Sequence, residues 1–465
     1  MEAEMSHYLL PNHPSRTSLD PLGIWDDGED VVNQNSILEK LLRTAESAFN
    51  ELESSIGQHE HRSEQAYRSA FCRLYANLLK DIAYSLHEDG SLDTTSVEAL
   101  IASSKMTVTN LFKFGKAVCS NALAIGAPES AFADGDLQQL CADTASIRLD
   151  SKQVDTLLAH MLLGTLSKPP GNEWGRPGFA ELFSNVGETA QAYLQTLFEH
   201  FAEEGYTKTD PDGEATFHLH NSANMPDLTT SHLPAPDLSI RIVETPSENS
   251  PPDYSPNRYL LVAAHSQPGP GPNGTQEERL IGQSPALALV SLLKPVLGPD
   301  EVVITSNLWA HSSWSGHGRE AKMTKMLNPE ERPRVHYIVV DALELDIEDS
   351  ADGALPDLRP ANIAREVRKL YSAFAGAKAI CDRAAMRIQI VPWGCGAFGG
   401  DFGVKTQCMM MAAGLAGLEP SQVELVVTKD REEELRRLAG RPMKVGEIYE
   451  HLTTASKPQG RPAER

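Results

Sequence analysis

Two glycine-rich stretches of the chain carry the residues best suited to chemistry. In the first, Gly269-Pro270-Gly271-Pro272-Asn273-Gly274-Thr275 runs directly into Gln276-Glu277-Glu278 and then into an apolar, helix-patterned run from Leu280 to Leu293. Carboxylates in a first helical turn are favoured by the helix dipole whatever else they do. A carboxyl placed beside a ligand in a partly dry cleft can also hold a proton to higher pH and deliver it as a general acid. The second stretch is Trp393-Gly394-Cys395-Gly396-Ala397-Phe398-Gly399-Gly400-Asp401, between a strand-like run ending at Val391 and a helical pattern from Val404 to Leu415. Its glycines let backbone amides approach a ligand closely, and amides at the head of a helix suit a phosphate. The same composition also serves a tight turn.

The elements that must position these loops follow from periodicity. Short apolar runs at Tyr259–Ala264, Glu301–Thr305, Val335–Val340, Arg387–Val391 and Val423–Val427 alternate with helical stretches, the signature of an α/β sheet domain whose ligands sit at the carboxyl ends of the strands. Before them the pattern is helical. Apolar residues recur at helical spacing from Ile37 to about Leu86, Thr95 and Glu98 suggest a capping box for a helix through Ile101, and Val108 to Ala124 reads as helix. Val154, Leu157, Leu158, Met161, Leu162 and Leu163 form one further stripe and Ala190 to Ala202 another, both with the pattern of plain core packing. Asp210 to Pro256 is rich in Pro, Ser, Asp and Asn and reads as a surface connection with one strand-like run at Leu238–Val243. The expected organisation is a flexible tail over 1–35, a helical region over 36–235, a sheet domain over 236–452 and a second tail over 453–465.

Composition narrows the function classes. A net charge of −23 over 465 residues repels polyanions at long range, so broad DNA or RNA binding is not expected, and a phosphate-bearing ligand must be held locally by backbone amides. Six cysteines without CxxC spacing fit neither a disulfide framework nor a zinc cage, and read as reduced thiols. No apolar run is long enough to span a bilayer, and the acidic start lacks the pattern of a signal peptide. The expected location is intracellular, in nucleus or cytoplasm, with no membrane partner.

Taken together the two loops resemble the poly(ADP-ribose) glycohydrolases, whose signature is a glycine triplet followed after six to eight residues by Gln-Glu-Glu. Gln276-Glu277-Glu278 is similar to the acidic end of that signature, and Trp393 to Asp401 resembles the family's second loop almost throughout. Leu157-Leu158-Ala159 and Gly178-Phe179-Ala180-Glu181-Leu182-Phe183 look like its helical accessory region, and Val445-Gly446-Glu447-Ile448-Tyr449 extends the likeness toward the C-terminus. The resemblance implies a macrodomain-like mixed sheet flanked by helices, preceded by an α-helical region. It implies Glu278 as catalytic acid and Glu277 as the holder of ribose hydroxyls. The backbone of Gly396, Ala397, Gly399 and Gly400 would cradle a diphosphate, with Phe398 against the ribose, and Gly274, Gln276 and His317 would complete the substrate-binding set. No cofactor or metal is implied. The partners would be poly(ADP-ribose) or ADP-ribose, including ADP-ribosylated proteins.

The departures are specific. The family's glycine triplet falls on Ser266-Gln267-Pro268, the asparagine before the tryptophan is Pro392, the loop tyrosine is His317, and the phenylalanine that packs on adenine is Thr428. Loss of the two aromatics removes about 1 to 3 kcal/mol of stacking and burial. Three readings stay open: a divergent glycohydrolase, a module that binds ADP-ribose without turnover, and hydrolysis of another ADP-ribosyl or nucleoside linkage by the same acid.

Overall fold

The computed structural model describes residues 7–20, 24–25, 30–56, 63–171, 173, 175–243, 257–316, 321–347, 355–381, 386–438 and 443–455. The architecture is α/β, and the chain divides into two compact units that are discontinuous in sequence. One comprises 1–217, 269–295 and 307–333, and the other 218–268, 296–306 and 334–465. The Gln-Glu-Glu motif belongs to the first unit and the Trp393–Asp401 loop to the second.

In the first unit, helices Gln34–Ser54, Glu64–His87, Val108–Leu123 and Glu188–Ala202 bury their apolar stripes against one another. An aromatic cluster fills the space between them. Phe49 lies 5.0 Å from Phe71, and Phe114 stacks on Phe198 at 4.1 Å. Gly115 sits where a Cβ would come within 2.9 Å of both Phe49 and Phe71, so the close approach of these helices depends on it. Helix Ser151–Leu163 begins with a capping box of Asp150 and Gln153 and ends on Gly164 at φ 68°. The helix at Thr95–Ser103 is capped differently from the expectation. Thr94 occupies its N-cap and makes no side-chain cap bond, the hydroxyl bonding Glu98 Oε1 instead.

The stretch expected as an N-terminal tail contains ordered structure. His7–Leu9 pairs antiparallel with Asp136–Gln138, Tyr8 and Leu10 are buried, and Tyr8 Oη donates to the Ser167 carbonyl at 2.6 Å. Three-residue strands are too short to show periodicity, so this was not legible from local pattern. A strand at Glu214–His220, beside Ser146–Asp150, likewise lies inside the expected connection, its apolar residues sparse among the polar ones. Of the tail expected over 453–465, residues 453–455 instead end the helix Val445–Ala455, and 456–465 lie outside the described residues.

The second unit is built on a sheet whose order runs Val302–Trp309, Arg334–Asp341, Arg258–Ala264, Arg387–Ile390, Val423–Thr428, Ser239–Val243, where the first strand belongs to this unit as far as Ser306. From Arg334–Asp341 to Ser239–Val243 every neighbouring pair is parallel. Each sequence-derived strand is present. Helices Pro360–Ile380 and Phe402–Leu415 pack on each other and share the core with Ile338, Val340, Ile388 and Leu425. Parallel pairing in register, Asp341 beside Ala264, brings the ends of adjacent strands level. The segments following Ala264, Asp341 and Ile390 therefore emerge side by side at one edge of the sheet.

One buried histidine gives the first unit an acid-sensitive term. His160 is fully buried, with Nδ1 2.7 Å from Thr165 Oγ1 and Nε2 3.1 Å from the Ala122 carbonyl. Burial pushes its pKa down from 6.5 to about 4, against a smaller upward pull from that carbonyl. Below 6.5 the unfolded chain takes up a proton that the folded chain refuses. The contribution is complete above 6.5 and is lost as the pH falls toward 4, by at most about 3 kcal/mol. The urea midpoint is expected to fall across this window, and His160→Gln should flatten the fall. An unchanged slope in the variant would show that His160 does not carry it.

Candidate functional site

In the first unit, helix Gln276–Gln283 starts at Thr275, which forms a reciprocal capping box with Glu278. The Thr275 hydroxyl accepts from Glu278 N at 3.3 Å, and Glu278 Oε2 accepts from Thr275 N at 2.8 Å. The preceding residue is tied back in the same way, Glu277 Oε1 accepting from Gly269 N at 2.9 Å. Both residues are 7% exposed. The loop wraps them tightly. A Cβ on Gly271 would lie 2.1 Å from Glu278 Oε1, so this glycine is what admits the carboxyl oxygen, while Gly274 turns the chain at φ 67°. Gln276 is half-buried. The helix stops at Ser284-Pro285, where proline ends the ladder, and the run to Leu293 continues as a 3-10 turn and one further helical turn instead of the single helix expected.

Around the pair lie residues the sequence reading did not single out for function. Gly282, one turn after Glu278 on the same helix face, leaves room for the Tyr193 ring, to which a Cβ would approach within 2.1 Å. Tyr193 packs on Trp314 with centroids 4.7 Å apart. Burial, and after it the charge of Glu278, raises the pKa of both Tyr193 and Glu181. Burial lowers that of Arg279. Tyr193 reads in sequence as part of an ordinary apolar stripe, and nothing local distinguishes it. Glu181 lies in the Gly178–Phe183 segment that carries the family resemblance.

In the second unit, Trp393 is fully buried and its indole N–H donates to the Val340 carbonyl at 3.0 Å. The loop closes on itself, with Gly400 N donating to Gly394 O at 2.9 Å and Gly399 N to Gly396 O at 3.1 Å. Asp401 then caps helix Phe402–Leu415 through Val404 N at 2.9 Å. Gly394 and Gly399 have φ of 72° and 67°, so the turn itself demands glycine at both. Gly396, Ala397 and Gly399 are exposed, and Gly400 and Phe398 are half-buried. The Phe398 carbonyl accepts from Leu345 N at 2.9 Å and Asp346 N at 3.2 Å, which joins this loop to the segment following the neighbouring strand.

The segment expected to correspond to the family's glycine triplet directly follows His265. The histidine's Nδ1 accepts from Gln267 N at 3.0 Å, its Nε2 lies 2.7 Å from Glu344 Oε1, and its ring is 6.3 Å from Phe398. Ser266-Gln267-Pro268 is thus pinned by a side chain where glycines would leave the backbone bare. Thr428 ends its strand half-buried. His317 lies outside the described residues. All six cysteines are free, and burial pushes Cys395 up to about 12. Among the described residues no cluster of His, Cys, Asp and Glu has the makings of a metal site, and no helix is long and apolar enough to cross a membrane.

The structure therefore gathers Gly274, Gln276, Glu277 and Glu278 in the first unit, and Gly396, Ala397, Phe398, Gly399 and Gly400 in the second. Residues 264–432, which contain both sets, match the family model described as poly(ADP-ribose) glycohydrolase (PARG), macro domain fold. Over this segment the chain is similar to the PARG family. Similar solved structures include PARG from Deinococcus radiodurans in complex with ADP-ribose, at 13% identity and a TM-score of 0.35, covering 48% of this chain and 95% of that one. A second crystal form of the same complex is 11% identical at a TM-score of 0.34, covering 51% and 94%. The accessory-like segments at 157–183 and the Val445–Tyr449 stretch fall outside the PARG match.

Proposed function

We propose that the chain hydrolyses ribose–ribose O-glycosidic bonds in poly(ADP-ribose), releasing ADP-ribose, with Glu278 as the general acid. The observation that carries this reading is the Gln-Glu-Glu motif inside the PARG-matched segment, with both carboxyls buried and held to a glycine loop by backbone amides. A side chain fixed in this way is pre-organised, and a glycosidic bond breaks when a positioned carboxyl protonates the leaving oxygen while oxocarbenium character develops at the anomeric carbon. Water then adds to that carbon and its proton restores the acid. Glu277 holds the ribose hydroxyls, and Gln276 and Gly274 set the register of the pair. The loop backbone at Gly396, Ala397, Gly399 and Gly400 receives the diphosphate, Phe398 packs on the ribose, and in the sequence His317 takes the place of the family's loop tyrosine. ADP-ribosylated proteins inside the cell are the natural carriers of such a substrate. Purified protein incubated with poly(ADP-ribose) is expected to release free ADP-ribose.

A second reading, binding without turnover, is favoured by one observation. Ser266-Gln267-Pro268 and the His265 side chain occupy the place of the glycine triplet. ADP-ribose is expected to raise the melting temperature under both readings, because a ligand of the folded state stabilises it by about 2.7 kcal/mol at a hundred times its Kd. A thermal shift without release of ADP-ribose selects the second reading, and absence of both up to millimolar ligand defeats the two together.

A further inference from the structure

Beneath the Trp393–Asp401 loop lies a lysine that neither the motif nor the family match explains. Lys405, on helix Phe402–Leu415, is 1% exposed. Its ammonium is ion-paired with Glu366, lies 3.8 Å from Asp357 Oδ1 and sits 5.2 Å from the centre of the Trp393 ring. Its stem occupies the space that two glycines vacate. A Cβ on Gly400 would be 2.5 Å from Lys405 Cε, and one on Gly394 would be 3.3 Å from both Cε and Nζ. These are the two residues whose backbone bond closes the loop. Asp357 fixes the far end as well, its Oδ2 accepting from Asp401 N at 3.1 Å. At least two of the loop's glycines thus make room for a buried cation.

The surrounding network makes direct attraction of an anion a poor account of this lysine. Arg365 pairs with Asp341 and with Glu366, and Lys369 pairs with Asp341. Three cations face three anions, Asp341, Asp357 and Glu366, and the charges cancel. Nor is such a network good evidence for stability, since replacing a whole buried ion pair by uncharged groups of similar volume often costs nothing, whereas removing one partner costs a great deal. What a buried, directional network supplies is a single geometry.

We propose that Lys405, with Glu366 and Asp357, is the positioning device of the 394–400 loop, setting its amides at the spacing a diphosphate requires. The ligand in this statement rests on the function proposed above, but the ordering of the loop does not. Lys405→Met leaves the buried network one negative charge in excess, with Glu366 still paired to Arg365 and Asp357 without its lysine, and is expected to lower the melting temperature sharply. Lys405→Met/Glu366→Gln removes one charge of each sign and should recover most of that loss. Asp357→Asn keeps an acceptor for Asp401 N and should fold normally.

In the double variant and in Asp357→Asn, the amides of Gly399 and Gly400 are expected to exchange with solvent faster than in wild type while the rest of the chain is unchanged. ADP-ribose affinity measured by calorimetry should fall at least about tenfold, since small misplacements at a binding site are costly. Unchanged exchange at these amides, or wild-type affinity, in either folded variant overturns the proposal. Should wild type itself fail to bind ADP-ribose, the functional reading fails, and amide exchange alone decides the positioning role.

Discussion

Glu278→Gln is expected to reduce release of ADP-ribose from poly(ADP-ribose) by about 10²- to 10⁴-fold, the range that a general acid contributes. The structure makes this an unusually clean substitution. Glu278 is the third residue of its helix and closes the capping box with Thr275, a position where glutamine serves as well as glutamate. The amide oxygen can still accept from Thr275 N, and only the favourable interaction of a carboxylate with the helix dipole is lost, about 0.3 to 1 kcal/mol. Melting temperature and ADP-ribose affinity should therefore stay close to wild type while turnover collapses. Glu277→Gln differs, because its carboxyl holds Gly269 N and is assigned the ribose hydroxyls, so binding should weaken along with rate. The bland account of the pair makes the opposite forecast. If Glu278 is only a helix cap, the glutamine variant keeps most of whatever activity the wild type has, and that result would end its assignment as the acid.

The sheet was legible in the sequence because its strands are nearly continuous apolar runs, buried on both faces between helices, and five such runs led to five strands. Missed elements share a different character. Helix Pro360–Ile380 is 21 residues long, yet its charged residues, among them Arg365, Glu366 and Lys369, are drawn inward by one another, which blurs the apolar stripe that periodicity depends on. The expected helix to Leu293 ignored Pro285 and so ran too long. For the site, composition was enough to mark both loops but not to assign each glycine. Gly399 is a case in point: its φ of 67° and the Asp346 backbone 3.3 Å from where a Cβ would lie make valine there a test of the turn before it is a test of a ligand. Tyr193 and Lys405 were out of reach, because each acquires its place from residues distant in the chain.

Gly271→Ala should come close to Glu278→Gln in its effect on turnover, although residue 271 bears no reactive group. The added methyl carbon would stand 2.1 Å from Glu278 Oε1 and 3.1 Å from the carboxyl carbon, inside any tolerable contact, and the nearest atoms it meets all belong to that one side chain. Since φ at Gly271 is not in the left-handed region, alanine fits the backbone and the carboxyl is what gives way. Its displacement breaks or lengthens the 2.8 Å bond to Thr275 N and moves the acid from its place by an ångström or more. Displacement on that scale costs about 10²-fold in a positioned reaction, and complete withdrawal costs as much as removing the acid. Folding should be little affected, because the part that moves is the end of a flexible side chain and the loss amounts to one capping bond, about 1 kcal/mol. The measurement is turnover and melting temperature on the same preparation, with Gly271→Ala/Glu278→Gln as control. If both substitutions act through one carboxyl, the double variant is no slower than Glu278→Gln alone. Losses that multiply would mean that Gly271 acts elsewhere, and full activity in Gly271→Ala would mean that the resting position of Glu278 is not the one that matters.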